Sequence, residues 1–206
     1  MIGRLRLRFR GALGRLQMKM SKHNILLFTP DEIRALKESW YLIWADKTNN
    51  GIKILTKLWK MHPESKLLFK EFKDLPEEDV TGNKRLRGLA LSLMYKLTEY
   101  IDRLEDPDAL EDLMINTCKA HHRREVGPKQ LKWMGPVMSQ IAQETMKSSH
   151  LTELHKSSWI KLMDALVVVA TDVQKTLKEE ALDKIQVPEM TGVWRSPRSS
   201  PIPFFK

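Results

Sequence analysis

The sequence predicts an all-α protein, and three observations predict it. From Thr29 to about Leu177, apolar residues recur every three or four positions, the period of a helix with one buried face. No stretch of useful length alternates apolar and polar residues as a half-buried strand does. Cap and breaker residues cut the run into helices of ordinary length.

Taken in order, Thr29-Pro30-Asp31-Glu32 starts the first helix. Thr29 suits the N-cap, Pro30 the first helical position, and the two acids the positive end of the helix dipole. Ile33, Leu36, Trp40, Ile43 and Trp44 then line one face, and Asn49-Asn50-Gly51 breaks the pattern. A second helix turns Ile54, Leu55, Leu58 and Trp59 inward and ends at His62-Pro63, because proline disfavours helix in the residue before it. Leu67, Leu68, Phe69 and Phe72 form a short aromatic corner, and the acidic stretch from Pro76 to Asp79 is expected as an exposed loop.

A long helix is predicted from about Asn83 to about Asp102, with Leu86, Leu89, Ala90, Leu93, Met94 and Leu97 at helical spacing. Asp106-Pro107-Asp108 caps the next, which carries Leu110, Leu113, Met114 and Thr117 before His121 and is expected to end at Gly127-Pro128. Another follows from about Lys129 to Lys147, with Leu131, Met134, Met138 and Ile141 inward. The last, from about Thr152 to Leu177, includes Trp159, Leu162, Met163 and Leu166. Val167-Val168-Val169 is β-prone locally, but its place inside a long amphipathic run favours helix.

Composition limits what the chain can be. With 206 residues, 42% of them hydrophobic, it is long enough for a single buried core with extensions. Its longest apolar runs fall short of the roughly 20 residues that span a bilayer. The one cysteine, Cys118, excludes an internal disulfide and fits a reducing, cytoplasmic compartment. Neither paired Cys/His spacing for zinc nor a glycine-rich phosphate loop is present. No nucleophile–base pairing suggests hydrolytic or transferase chemistry, so the expectation is a protein that is not an enzyme.

The net charge of +9 is unevenly placed. Residues 1–28 hold seven basic residues and no acid, and the tail from Lys175 adds a further +2, which leaves residues 29–174 neutral. A neutral centre argues against a nucleic-acid-binding core. Arranged as a helix, the start of the chain puts Ile2, Leu5, Phe9, Ala12, Leu13, Leu16 and Met20 on one face and most arginines on the other. That pattern fits a dispensable extension, a mitochondrial targeting segment or a helix on a membrane surface. After Val187-Pro188 the composition turns to Pro, Ser, Arg and scattered aromatics, that of a disordered tail.

One set of residues stands out: Trp40 in the first helix, Gly51 before the second, Pro63, Phe69 six residues later, Phe72, and a histidine at 121. This frame resembles the globin family, in the manner of invertebrate or neuroglobin-like single-domain globins with terminal extensions. The resemblance covers about residues 29–176. It implies a globin fold over residues 29–177, flanked by the basic arm 1–28 and the tail 178–206, and a haem b cofactor (iron protoporphyrin IX). By the family's pattern, Leu86, Ala90, Leu93, Met94 and Leu97 match the distal helix, Leu89 falls at the distal position, and His121, 32 residues later, falls at the proximal one. The resemblance further implies a pocket lined by Leu55, Phe69, Phe72, Leu89, Leu93, Leu113, Met114, Thr117, Val126, Leu131 and Met134, with His121 as the iron ligand.

The chemistry of these residues agrees with those roles. A haem is a flat apolar ring, so its walls must be aliphatic and aromatic. Its iron needs a strong axial ligand, which neutral imidazole supplies while the second ring nitrogen donates to a carbonyl. His121 has a neighbour, His122. Four, seven, eight and eleven residues before His121 stand Thr117, Met114, Leu113 and Leu110, whereas the same count from His122 meets Cys118, Ile115, Met114 and Glu111. The first is the better inner face; the competing interpretation leaves both histidines on the surface. His62, His150 and His155 are expected to be solvated, and His23 belongs to the basic arm. Cys118 is expected as an ordinary helix residue. One of Arg85, Arg87, Arg123 and Arg124 could pair with a haem propionate, and all four equally suit an exposed surface.

Leu89 and Leu55 together predict a distal side without a hydrogen-bond donor. A donor stabilises a ligand that gains negative charge by about 1–3 kcal/mol, so its absence predicts weak oxygen retention and easy oxidation of the iron. A register shift of two residues would put Arg87 in place of Leu89. Three functions remain open on the sequence: reversible binding of a diatomic gas (oxygen, carbon monoxide or nitric oxide) for oxygen binding or transport, a haem-based redox protein or gas sensor working at a membrane through the basic arm, and a helical interaction module without haem.

Overall fold

The computed structural model of the chain describes residues 25–80, 82–146 and 151–186. Among these the secondary structure is helical: α1 (Pro30–Ala45), α2 (Lys47–Met61), α3 (Lys84–Ile101), α4 (Pro107–His122), α5 (Pro128–Leu131), α6 (Met134–Thr145) and α7 (Glu153–Gln186), with 3-10 turns at Pro63–Leu68 and Glu77–Asp79. The all-α expectation holds, and no described helix is long and apolar enough to cross a membrane. The basic arm to residue 24 and the chain beyond residue 186 lie outside the described residues.

The start of α1 follows its sequence signal. The Thr29 hydroxyl accepts from the Glu32 N–H at 3.2 Å, and the Glu32 carboxylate accepts from the Thr29 N–H at 2.8 Å. These reciprocal bonds satisfy two of the orphan donors at a helix start. Lys161 on α7 donates to the same carboxylate at 2.7 Å, so the cap also fastens α1 to the last helix.

The first bend lies earlier than the sequence suggests. Asn50 and Gly51 sit inside α2, and the chain bends at Asp46, whose carboxylate accepts from the Asn49 N–H at 3.3 Å. Asn50 is buried and donates from Nδ2 to the Ile43 carbonyl at 2.8 Å, tying the two helices across the bend. Gly51 serves packing: a Cβ there would lie 2.9 Å from both the Ala90 carbonyl oxygen and Met94 Cγ on α3. Glycine thus lets α2 and α3 cross backbone against side chain.

The predicted helix from Lys129 to Lys147 is two. α5 is a single turn, and α6 begins at Met134. Pro136 is the cause: it has no N–H for the Lys132 carbonyl, and its ring crowds that carbonyl. The last helix, expected to end near Leu177, continues to Gln186.

α7 is the spine of the molecule, packed by α6, α4, α1 and α5 along its length. Fully buried Trp159 anchors it; its indole N–H donates to Ser39 Oγ of α1 at 2.9 Å, and its ring lies 5.9 Å from that of Trp40. α3 packs on α2 and α1 instead. α3 and α4, though adjacent in the chain, therefore rest on different partners and have little direct contact.

Candidate functional site

α4 carries two parallel stripes. Leu110, Met114 and Cys118, each four residues from the next, are sealed in the core, and the Cys118 thiol donates to the Leu166 carbonyl of α7 at 3.7 Å. Beside them Leu113, Thr117 and His121, again four apart, are only half-buried. α3 repeats the arrangement: Leu86, Ala90, Met94 and Leu97 are buried, while Leu89 and Leu93 are half-buried. Each helix thus carries, next to the face that holds it in the core, a second, mostly apolar stripe that its neighbours cover only in part. Phe69, Val126, Trp133 and Met134 share that half-buried state at the edge of the core.

His121 is fixed twice. Its Nδ1 lies 2.9 Å from the Thr117 carbonyl oxygen, to which it donates, so the proton belongs on Nδ1 and the lone pair on Nε2. Its own carbonyl accepts from the Arg124 N–H at 2.8 Å and the Val126 N–H at 3.1 Å. With Glu125 N–H donating to the His122 carbonyl at 3.0 Å, these bonds form a Schellman termination around the histidine. The residue in the left-handed conformation is Glu125, with φ 63°, where glycine is usual. The helix expected to run to Gly127-Pro128 therefore stops at His122, and Gly127 is extended, with φ −114° and ψ −171°.

The remaining predicted lining residues form one group, within the core. Leu55, Phe72, Met114 and Leu131 are core residues, Met114 without any exposed surface. Phe72 packs on the Trp59 ring, as does Phe69, with centroids 6.1 and 5.6 Å away. Arg87 is exposed while Leu89 is half-buried. Arg85, Arg123 and Arg124 are exposed too; Arg85 lies 3.8 Å from Glu71, and Arg124 donates to the Ala120 carbonyl at 2.9 Å.

Of the histidines expected in solvent, one is buried and another is half-buried. His155 is buried: its Nδ1 accepts from the Thr152 N–H at 3.2 Å, which leaves its proton on Nε2, 3.4 Å from Glu38. It completes the start of α7, a role usually taken by Glu or Gln, and histidine gave no such signal in the sequence. His62 stacks on Trp133, ring centroids 4.9 Å apart and planes 12° from parallel. That contact crosses from α2 to the α5–α6 junction and depends on the Pro136 break. His150 and His23 lie outside the described residues.

The sequence missed three residues near these stripes. Trp59 and Tyr100 are buried, and neither the Trp59 indole nitrogen nor the Tyr100 hydroxyl has a hydrogen bond of normal length among the described residues. Burial pushes the Tyr100 phenol well above its ordinary value of 10.0, while the neighbouring Thr117 hydroxyl pulls it the other way. Trp133 is the third. All three resemble core residues in a sequence, since periodicity locates a face and not the partner of a polar atom. Two hollows beside α1, lined by residues such as Ile33, Lys37 and Tyr41, share no residue with the stripes.

An all-α fold with a helix-borne imidazole beside paired apolar stripes defines a class of protein that can hold a flat apolar group with one metal ligand. The comparisons give the family. A family model described as Globin matches residues 52–170, more than half of the chain, which therefore belongs to the globin family. Among its relatives, Globin-1 of Anadara inaequivalvis is 29% identical over 136 residues, covering 66% of this chain and 88% of that protein. Cytoglobin-2 of Danio rerio is 27% identical over 133 residues, covering 64% of this chain and 74% of that one. The fold is similar to that of azide-bound ferric myoglobin from Aplysia limacina, with a TM-score of 0.65 and 19% identity, over 70% of this chain and 97% of that one.

Family membership implies a haem cofactor and a diatomic gas ligand. The residues present fit such a group. His121 has one ring nitrogen committed to a carbonyl, and its Nε2 makes no hydrogen bond to a described residue. The half-buried stripes supply apolar surface for a planar ring.

Proposed function

We propose that the chain holds haem b through His121 Nε2, between the half-buried stripes of α3 and α4, and binds a diatomic gas reversibly. The observation that carries this is the pair of stripes. Leu89 and Leu93 on one helix, and Leu113, Thr117 and His121 on the other, are only partly covered although their helices are firmly packed elsewhere. Exposed apolar surface of this kind costs about 25 cal/mol per Å², a cost that an apolar ring removes. Phe69, Val126 and Met134 complete the lining. A bound haem supplies an open iron position for the gas; the chain supplies orientation, a neutral ligand and exclusion of water.

Leu89 and Leu93 set the character of the site. Neither has a polar atom, so the distal side can neither furnish a second ligand nor donate to a gas that gains negative charge. The expected behaviour is a five-coordinate ferrous form, carbon monoxide held well, and oxygen held weakly. The same feature supports a second reading as a haem-based redox protein or gas sensor, since a donor-poor pocket favours oxidation of the iron. Both readings are of binding or electron passage without substrate turnover.

Absorption spectra of the ferric, ferrous and carbonyl forms test the proposal. A Soret band lost in His121→Ala and kept in His122→Ala is expected. A low-spin ferrous spectrum with two internal ligands, or a full Soret band in His121→Ala, would overturn it. Slow autoxidation would favour gas binding, and fast autoxidation with ready re-reduction the redox reading.

A further inference from the structure

We propose that the end of α4 and the turn after it form a docking surface for an acidic one-electron carrier protein; the inference rests on the haem-binding reading above. Residues 119–132 hold five cations, Lys119, Arg123, Arg124, Lys129 and Lys132, against one carboxylate, Glu125. That is a net +4 inside a region, residues 29–174, that is neutral as a whole. All six residues are exposed. Elsewhere on the described surface cations commonly meet a carboxylate, as Lys37 meets Glu105, Lys57 Glu144 and Lys156 Glu153. Among the described residues none of the five cations does so; Arg124 uses one nitrogen on the Ala120 carbonyl. The cations on α4 suit the negative end of its dipole, but Lys129 and Lys132 lie beyond that helix. Gln174 of α7, which lies against Gly127, adds no charge.

The patch and the proximal histidine belong to one local unit. His121 stands between Lys119 and Arg123, and the Val126 N–H, from the middle of the patch, donates to the His121 carbonyl at 3.1 Å. A partner held by these cations therefore rests beside His121. The chemistry of the site supplies the need for one. A distal side without a donor lets the iron oxidise, and the ferric chain binds oxygen again only after gaining one electron. The carrier gives up that electron; no bond forms or breaks, and no proton is transferred. Encounters between electron carriers bury little surface, so complementary charge does most of the selecting. A positive face speeds the approach of a carrier with an acidic face and repels a basic one.

The test uses the haem-loaded full chain and, as probe, an acidic flavodoxin in its one-electron-donating hydroquinone form. Reduction of the ferric chain is followed at the Soret band, and binding of the oxidised flavodoxin is titrated separately at low salt. Lys119→Glu/Lys129→Glu/Lys132→Glu is expected to slow the reduction by at least about tenfold and to flatten its decline with added salt. That size lies within the roughly 10–10³-fold that electrostatic steering supplies. Binding of the oxidised flavodoxin should weaken in parallel. An equal reversal on the basic arm, Arg4→Glu/Arg6→Glu/Arg8→Glu, should do much less, which separates local docking from net charge. The Soret band and carbon monoxide binding should be unchanged in both. Equal slowing by the two triples, or none by the patch triple, overturns the proposal. So does a patch triple that keeps reduction and flavodoxin binding but loses binding to phosphatidylserine vesicles, which assigns the surface to a membrane. If the patch triple does not fold, Lys119→Gln/Lys129→Gln/Lys132→Gln replaces it, with the same pattern at smaller size. A wild-type chain without a Soret band refutes the haem reading instead, and the flavodoxin titration then decides the patch on its own.

Discussion

At the scale of single residues, the site depends on how one histidine is held. Sequence periodicity preferred His121 to His122 because its inner face was the more apolar, and the structure shows how that residue is held. His121 sits at the one position whose ring reaches the Thr117 carbonyl while its own carbonyl is captured by Val126. The cost of this termination falls on Glu125, whose φ of 63° strains a side-chain-bearing residue by about 1–2 kcal/mol. Glu125→Gly should therefore raise stability by about 1 kcal/mol in urea unfolding, with the Soret band unmoved. A lower midpoint would mean that the Glu125 side chain contributes more than the strain removes. The glycine two residues on gave the sequence its false end for α4, because composition names a breaker and not the conformation it adopts.

At the scale of elements, caps and crossings decide how the helices sit. Gly51 lets α2 approach α3, so Gly51→Ala should destabilise the chain by about 1–2 kcal/mol, overpacking outweighing the roughly 1 kcal/mol gained from helix propensity. An unchanged or raised urea midpoint would show that the crossing is looser than the 2.9 Å contacts require. The α1 cap gives a pH-dependent case. Burial alone would raise the Glu32 carboxyl, but bonds from Lys161 and the Thr29 backbone hold it below its usual 4.5. A depressed folded value means the contribution is complete above 4.5 and disappears as the pH falls through the lowered folded value. Glu32→Gln should thus cost about 1 kcal/mol at about pH 6 and almost nothing near pH 2, measured as the difference in unfolding free energy from wild type. An equal cost at both would assign the effect to shape and not to charge. The Thr29 cap was legible because its chemistry is local, within four residues. The α5–α6 break was equally local, at Pro136, but lay inside an apolar run that masked it.

At the scale of the whole molecule, α7 gathers most of the packing, and α3 stands on α2 and α1. If haem binds only the folded chain, its removal should lower stability by several kcal/mol, about 4 where free haem exceeds its dissociation constant a thousandfold. The loss should be uneven. Hydrogen exchange in the haem-free chain should quicken along the half-buried stripes of α3 and α4, while α7 around Trp159 stays protected. Uniform quickening would mean that the core, and not the cofactor site alone, depends on haem. The sequence by itself determined the all-α class, the order of the main helices, and the apolar character of Leu89 and Leu93, because helical periodicity and capping are short-range and survive in one dimension. It also carried the spacing from Phe69 to His121 that family resemblance recognises. Only the tertiary structure decided which apolar residues are sealed and which are left half-covered, and that Met114 is fully buried while Leu113 is not. These outcomes depend on which helix each face meets, and a helix's sequence repeats its faces without naming its neighbours.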